Sequence, residues 1–360
     1  MKTKTLKHFL FFLTLVLFLS AGILGTPSPA AAAGEISLRM ADFYPPGHPI
    51  RKGFLEAFAA PLEKRTNGKV KIDYYGHESL VKAKDILDAT ISGVADIGNM
   101  TYAGSRIPLI FYQQLPGVFS DEQTVGAARA MWKIREKYVA PEFEKLGLKL
   151  LYVNSTTGYQ IMTTKKPIRR IGDIEGMKFR VAGSVLPHSI KGLGGVPVSM
   201  TMGEVYEAME RGVVDGIALS VPSVKAYAFY EIIKYATVNC NMGGYPSYFA
   251  MNMKKWNSLP DDVKKVIEDM ALETVSNSTQ IGVDRVESDI NEWQKKGIEV
   301  IKLPKEDAEQ AAKLLAPVWG SWTKTMSEKG HPMKALVMDW QKALAEEGIE
   351  LSPVLVNAVQ

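Results

Sequence analysis

Among the ionisable residues of this 360-residue chain, Arg180 occupies the segment best suited to recognition, Gly176-Met-Lys-Phe-Arg180-Val-Ala-Gly183. Strand alternation puts Met177, Phe179 and Val181 on one face and Arg180 on the other, beside the carboxyl end of its strand. A guanidinium there is permanently charged and presents a planar fork that matches a carboxylate. That is chemistry for holding an anion. Residues for transforming one are sparse: G-x-x-x-x-G-K-[ST], G-x-S-x-G and H-E-x-x-H are all missing, and His77-Glu78 lacks a second histidine four residues on. Gly192 to Gly195 lacks the G-x-G-x-x-G spacing and reads as helix termination. Cys240 is the single cysteine, and His48, His77, His188 and His331 are far apart, so the chain is expected to hold no metal and no cofactor and to have no catalytic residue. The competing enzymatic reading is a secreted hydrolase built on a carboxylate pair such as Asp42 with Glu78, each beside a strand end, one of them with a raised pKa.

Lys2, Lys4 and Lys7, the apolar run Phe9 to Leu24 and the small residues Ala30 to Ala33 have the layout of a cleaved signal peptide, residues 1–33. The expected destination is the periplasm. The apolar run is short for a membrane span, and no later segment approaches the roughly 20 apolar residues needed, so the mature chain is expected not to be membrane-embedded. Without the three leader lysines the formal charge of +4 falls to about +1, with acids and bases interspersed, which argues against nucleic acid as a partner.

Positioning Arg180 requires a scaffold, and the hydrophobic pattern supplies one. Strands are expected over Ile36–Phe43, Val70–Tyr75 and Ala95–Gly98, with helices over Ile50–Arg65 and Lys84–Ser92 between them. A second unit begins near Tyr152. It reads as strands Tyr159–Thr163, Lys178–Val181, Pro197–Met200 and Val213–Ala218, with helices Val185–Leu193, Gly203–Arg211 and Val221–Ile233. Ser247–Asn252 reads as a strand, Asp261–Trp293 as one very long helix, and helices dominate from there onward. The fold class is α/β, with mostly parallel sheets and ligands collecting at the carboxyl ends of the strands.

Gly176-Met-Lys-Phe-Arg180-Val, Leu193-Gly-Gly-Val-Pro197-Val-Ser-Met200 and Glu204-Val-Tyr206-Glu-Ala208-Met-Glu-Arg211-Gly-Val-Val-Asp215-Gly216 together resemble the signature of the solute-binding proteins of TRAP transporters, the tripartite ATP-independent periplasmic systems. Ala41 to His48, Arg65 to Val70, Ser92 to Gly98 and Leu115-Pro-Gly117 extend the likeness over nearly all the mature chain. The resemblance, to the C4-dicarboxylate-binding-like family, implies a two-lobed periplasmic binding protein, type II-like, with a hinge cleft and a long helix spanning both lobes. Lobe I would take residues 34–155 and about 245–290, lobe II residues 156–244 and about 291–360. It further implies capture of a small organic anion by lobe closure, delivery to membrane permease subunits driven by an ion gradient, and either a monomer or a dimer.

By the same resemblance Arg180 is the residue that grips the ligand carboxylate. Sialic-acid-binding members carry a second arginine where this chain has Gln160 and an asparagine where it has Leu219, which argues against a sugar acid. Keto-acid-binding members have glutamine near Gln160, sometimes holding a cation, but no matching carboxylate follows Asp215-Gly216. The expected ligand is a monocarboxylate with an apolar or aromatic body, Arg180 on the carboxylate and Gln160 on a nearby oxygen. Tyr44, Asn99, Tyr102 and Tyr245 are expected around it, with Glu78 from the loop after the second strand. For Phe43 and Tyr248, core packing and ligand contact stand level. A dicarboxylate would need a second cation, for which His48 and Lys82 are the candidates. A keto or hydroxy acid as ligand stays open, as does service to a sensor kinase in place of a permease. Asp215 and Glu204 are assigned structural hydrogen bonds.

Overall fold

The computed structural model describes residues 35–240 and 242–357; the expected signal peptide lies outside them. Among the described residues, eleven strands build two sheets: β1 (Ile36–Ala41), β2 (Val70–Tyr75), β3 (Ile97–Asn99), β4 (Leu148–Ser155), β5 (Tyr159–Thr163), β6 (Lys178–Val181), β7 (Val196–Ser199), β8 (Gly216–Ser220), β9 (Tyr235–Thr237), β10 (Pro246–Asn252) and β11 (Glu299–Ile301). The first sheet has the order β2-β1-β3-β10-β4 and the second β11-β9-β5-β8-β6-β7. The chain therefore passes between sheets after β4, after β9 and after β10. Each sheet contains parallel pairs but also one strand, β10 or β5, that runs antiparallel to both neighbours. Both are the first strand laid down after a crossing, so each enters its sheet from the cleft side.

The residues dictate these elements in familiar ways. In β1, Leu38 and Met40 are fully buried while Ser37 and Arg39 turn outward, the period-two pattern of a sheet with one solvated face. Pro49–Gly53, Phe54–Ala59 and Ala60–Arg65 form one continuous helical run, π-wound in its middle segment. Gly53 lets that run lie close on its neighbours, since a Cβ there would come within 2.6 Å of Asn154 Nδ2 and 2.9 Å of the Ser278 carbonyl oxygen.

Four expectations need correction. Leu148–Ser155 is a single strand of the first sheet, so the second unit starts after it and not at Tyr152. The helix expected over Val221–Ile233 stops at Ala226, because Ala228 takes a left-handed conformation (φ 57°) and starts a separate turn. The very long helix is two helices, Asp261–Val283 on the first lobe and Val286–Lys295 on the second. At the break, Arg285 donates to the Gly47 carbonyl (3.0 Å) and pairs with Asp289. The C-terminal helix Met333–Glu346, expected with lobe II, packs instead on helix Thr124–Tyr138 of lobe I. Arg129 pairs there with Glu347, Lys137 with Asp339 at 2.7 Å, and Trp340 sits edge-on to Tyr112.

Two of the three crossings run side by side. Thr156 N–H donates to the Tyr245 carbonyl (3.1 Å), Tyr245 N–H to Thr156 Oγ1 (2.8 Å) and Tyr159 N–H to the Gly243 carbonyl (2.8 Å). Gly243 has φ 79°, and a Cβ on it would come within 2.5 Å of the Gln114 carbonyl oxygen, so only glycine fits this corner. These paired segments form a natural hinge, and the cavity described next lies directly against them.

Candidate ligand-binding site

Arg180 stands on β6, next to the edge strand of the second sheet, with Val198 of β7 on one side and Ile217 of β8 on the other. Its strand neighbours Phe179 and Val181 are fully buried in the lobe core, which fixes the face on which the guanidinium emerges. Arg180 itself is only 2% exposed. Nε donates to the Met200 carbonyl (3.1 Å), whereas the buried Nη2 has no hydrogen-bond partner. Leaving a buried charged donor unpaired is costly, and in native proteins such a group calls for a partner of its own. The neighbourhood supplies none.

The guanidinium borders a small cavity between the lobes, about 20 Å³ in volume. Lobe I contributes Phe43, Tyr44, His48, Thr101 and Tyr102; the hinge contributes Thr156, Tyr159 and Tyr245; lobe II contributes Arg180, Ala182, Met202, Leu219, Ser223 and Tyr227. Tyr44 stacks on His48 at 4.0 Å, Phe43 meets Tyr102 edge-on at 5.2 Å, and His48 meets Tyr227 edge-on at 5.4 Å. Across the cleft, Tyr102 Oη accepts from the Met202 N–H (3.3 Å), joining the two lobes in a closed arrangement.

The electrostatics are one-sided. Burial pushes the His48 pKa well below its ordinary value, with the Arg285 charge adding to the effect, so His48 is neutral at physiological pH. Its Nδ1 accepts from the Ile50 N–H (3.2 Å), which leaves the ring proton on Nε2. Burial also raises Tyr159, Tyr227 and Tyr245 well above the ordinary phenol range. The Arg180 charge opposes that rise at all three. Arg180 is thus the single formal charge among the lining residues.

Five expected residues, Arg180, Tyr44, Tyr102, Leu219 and Tyr245, are brought together here, and Phe43 joins them. Asn99 stands one layer behind, its Nδ2 donating to Asp42 and its Oδ1 accepting from Thr101. Three others lie elsewhere. Gln160 follows Tyr159 in β5 and lines a groove on the other side of the hinge with Asp121, Glu122 and Lys302; its Oε1 accepts from the Cys240 N–H (3.1 Å). Tyr248 follows Ser247 in β10, so it points into lobe I against Phe143 and Met131. Glu78 is held outside the cavity by Lys82 (3.1 Å) and the Ala83 N–H (3.0 Å), which also removes Lys82 as a second cation.

The Asp42–Glu78 pair is not a catalytic dyad. Burial lifts the Asp42 pKa to about 6, but Tyr74, Asn99 and the N–H groups of Phe43 and Tyr44 all donate to its carboxylate, and it does not line the cavity. Asp215 accepts from the Lys178 N–H and Glu204 caps its helix through Thr201, both structural bonds. No group of three or more potential metal ligands occurs among the described residues. Residue-by-residue reading of the sequence passed over Thr101, Thr156, Tyr159, Ser223 and Tyr227. Tyr159 opens a strand at the hinge and was open to the same strand-end argument as Tyr44; Tyr227 is placed by the unforeseen left-handed turn at Ala228.

Residues 40–325 match the model of the family described as bacterial extracellular solute-binding protein, family 7. The C4-dicarboxylate-binding periplasmic protein DctP of Rhodobacter capsulatus is 28% identical over 306 residues, 81% of this chain and 87% of that one. Among solved structures, a TRAP periplasmic solute-binding protein from Desulfovibrio salexigens is 32% identical with a TM-score of 0.74, covering 87% of this chain and 97% of its own. A TRAP solute-binding protein from Rhodoferax ferrireducens, in complex with copurified benzoate, has a TM-score of 0.81 at 20% identity, with 87% and 98% coverage. No helix among the described residues is long and apolar enough to cross a membrane.

Proposed function

The chain belongs to the bacterial extracellular solute-binding proteins of family 7, as a TRAP-type member, and from that premise we propose that its ligand is an aromatic monocarboxylate. One observation carries the reading: a buried, unpaired guanidinium nitrogen faces a cavity walled by Phe43, Tyr44, Tyr102, Tyr159, Tyr227 and Tyr245 with no second charge. The carboxylate pairs with Arg180 and relieves its unmet donor; the rings enclose an apolar body by contact and edge-to-face packing. Tyr102 and Met202 close the lobes over it, and the loaded form is handed to the membrane permease subunits. Similar folds hold benzoate, other aromatic acids and mandelate in some cases and glucuronate in another, so fold alone leaves the ligand open.

A dicarboxylate is the second reading, favoured by the name of the Rhodobacter relative and by the presence of His48 in the cavity. A neutral imidazole supplies no second cation, which argues for the monoacid. Thermal unfolding of the protein lacking residues 1–33 with benzoate, phenylacetate, mandelate, succinate and fumarate decides between them. A ligand at about 100 times its Kd should add about 2.7 kcal/mol of stability. Stabilisation by succinate or fumarate and not by the aromatic acids overturns the proposal.

A further inference from the structure

The protons on the lobe I wall are ordered, and the order is fixed by a backbone group. Thr101 N–H donates to Asn99 Oδ1 (3.1 Å); a backbone N–H can only donate, so this end of the Asn99 amide is the oxygen. The same oxygen lies 2.5 Å from Thr101 Oγ1, which must therefore spend its proton there. The other end of the amide, Nδ2, donates to Asp42 Oδ1 (3.2 Å), consistent with that orientation. Thr101 Oγ1 then meets Ser247 Oγ (3.1 Å) as an acceptor, so the Ser247 proton points to Thr101. Ser247 Oγ is left to accept from Tyr44 Oη (2.9 Å). Any other arrangement leaves one of these buried oxygen pairs with no proton between them. Tyr245 Oη independently donates to the Thr101 carbonyl (3.2 Å).

Tyr44, Thr101 and Tyr245 all line the cavity, and all three have committed their hydroxyl protons behind the wall. What they can offer a ligand is lone pairs. Resting on the aromatic-acid reading above, we infer that the site selects aromatic acids carrying a hydrogen-bond donor on the ring, a hydroxyl or amino group directed at Tyr44 and Tyr245 while the carboxylate meets Arg180. Directed at Tyr44 and Tyr245, a ring substituent with lone pairs and no proton faces oxygen against oxygen, and a second carboxylate does so with a full negative charge. Ser247, fully buried and outside the cavity lining, is the positioning residue that sets this polarity.

The test measures Kd by titration calorimetry for benzoate, 3- and 4-hydroxybenzoate, 3- and 4-aminobenzoate and the 3- and 4-fluorobenzoates, the fluoro acids being close in size to the hydroxy acids and lacking the proton. For at least one ring position the hydroxy or amino acid should bind about tenfold tighter than its fluoro counterpart. In Ser247→Ala the Tyr44 proton is released to turn inward, and that ratio should shrink severalfold; near-native thermal unfolding of the variant shows that the fold is intact. If the acids bind with hydroxy, amino and fluoro forms alike, or if Ser247→Ala leaves the ratio unchanged, the ordered wall is not the selector, while the aromatic-acid reading survives. If none of these acids binds, that reading falls and the inference with it.

Discussion

The two walls of the cleft face the same cavity and solve opposite problems. The lobe II wall exposes a charge to the cavity: Arg180 on β6, with a buried nitrogen that has no protein partner. The lobe I wall keeps its charge one layer back, where Asp42 is saturated by four donors, and shows the cavity rings together with the Tyr44 and Thr101 hydroxyls, whose protons are already placed. One wall is incomplete until an anion arrives, and the other is complete in the ligand-free protein. Affinity should therefore be concentrated on lobe II, and selectivity and pH response on lobe I.

The heaviest blow to this contrast is Arg180→Ala. Removing one side of a desolvated charge pair typically costs about 2 to 5 kcal/mol, so affinity for any acid that binds should drop by about 30-fold to several thousand-fold, read by calorimetry. The ligand-free variant should lose little stability, because the guanidinium satisfies few of its donors without ligand. A large loss of ligand-free stability with affinity retained would reverse the assignment of the two walls.

Next in size is the pH response of the lobe I wall. Asp42 titrates near 6 in the folded protein against an ordinary 3.8, chiefly through burial, so the folded state binds more protons than the unfolded chain across that window. Its contribution to stability is present below about pH 4 and is lost as pH rises through 6, on the order of 2 to 3 kcal/mol. Asp121, held near 6, and Glu142, held near 7, push in the same direction. In denaturant unfolding at pH 4, 5, 6 and 7 these acids should pull stability down as pH rises, opposed below about 6.5 by His48 with its lowered pKa, and Asp42→Asn should remove part of the downward contribution. An unchanged slope in that variant would remove Asp42 from the account.

Tyr102→Phe probes the contact between the walls. Losing the bond to the Met202 N–H should weaken binding severalfold, about 1 kcal/mol, and should appear mainly as faster dissociation in stopped-flow measurements. The smallest effect is expected from Tyr227→Phe in the ligand-free protein. The Tyr227 hydroxyl is buried without a partner, so its removal should change the unfolding free energy by no more than about 0.5 kcal/mol or raise it slightly. A clear destabilisation would mean that the hydroxyl has a partner in the lobe II wall.

Much of the scaffold could be read locally. Val70–Tyr75, Tyr159–Thr163 and Lys178–Val181 form strands over the very residues expected, the first with its exposure alternating along the strand and the other two buried over nearly their whole length. The errors share a cause. The break at Asp284-Arg285 depends on Arg285 reaching the Gly47 carbonyl, 238 residues away in sequence, and the stop after Ala226 depends on a left-handed Ala228 that no helix propensity announces. Gln160 and Tyr248 show the same limit at the site. Both adjoin residues at or behind the cavity, Tyr159 and Ser247, and one step along a strand sends the side chain to the opposite face.

The sequence by itself determined the family, the two α/β lobes and the placing of Arg180 on the ligand side of its strand, since these rest on motif order and on alternation within single segments. The tertiary structure alone decided that one guanidinium nitrogen of the arginine goes unpaired, that His48 in the same cavity is neutral, and that Tyr44, Thr101 and Tyr245 present lone pairs. The physical reason is that burial and hydrogen-bond direction are properties of groups brought together from both lobes and the hinge. Thr101 and Ser247 are 146 residues apart in the chain and 3.1 Å apart in space, and that closeness, with the Thr101 proton already committed to Asn99, makes Ser247 the donor between them.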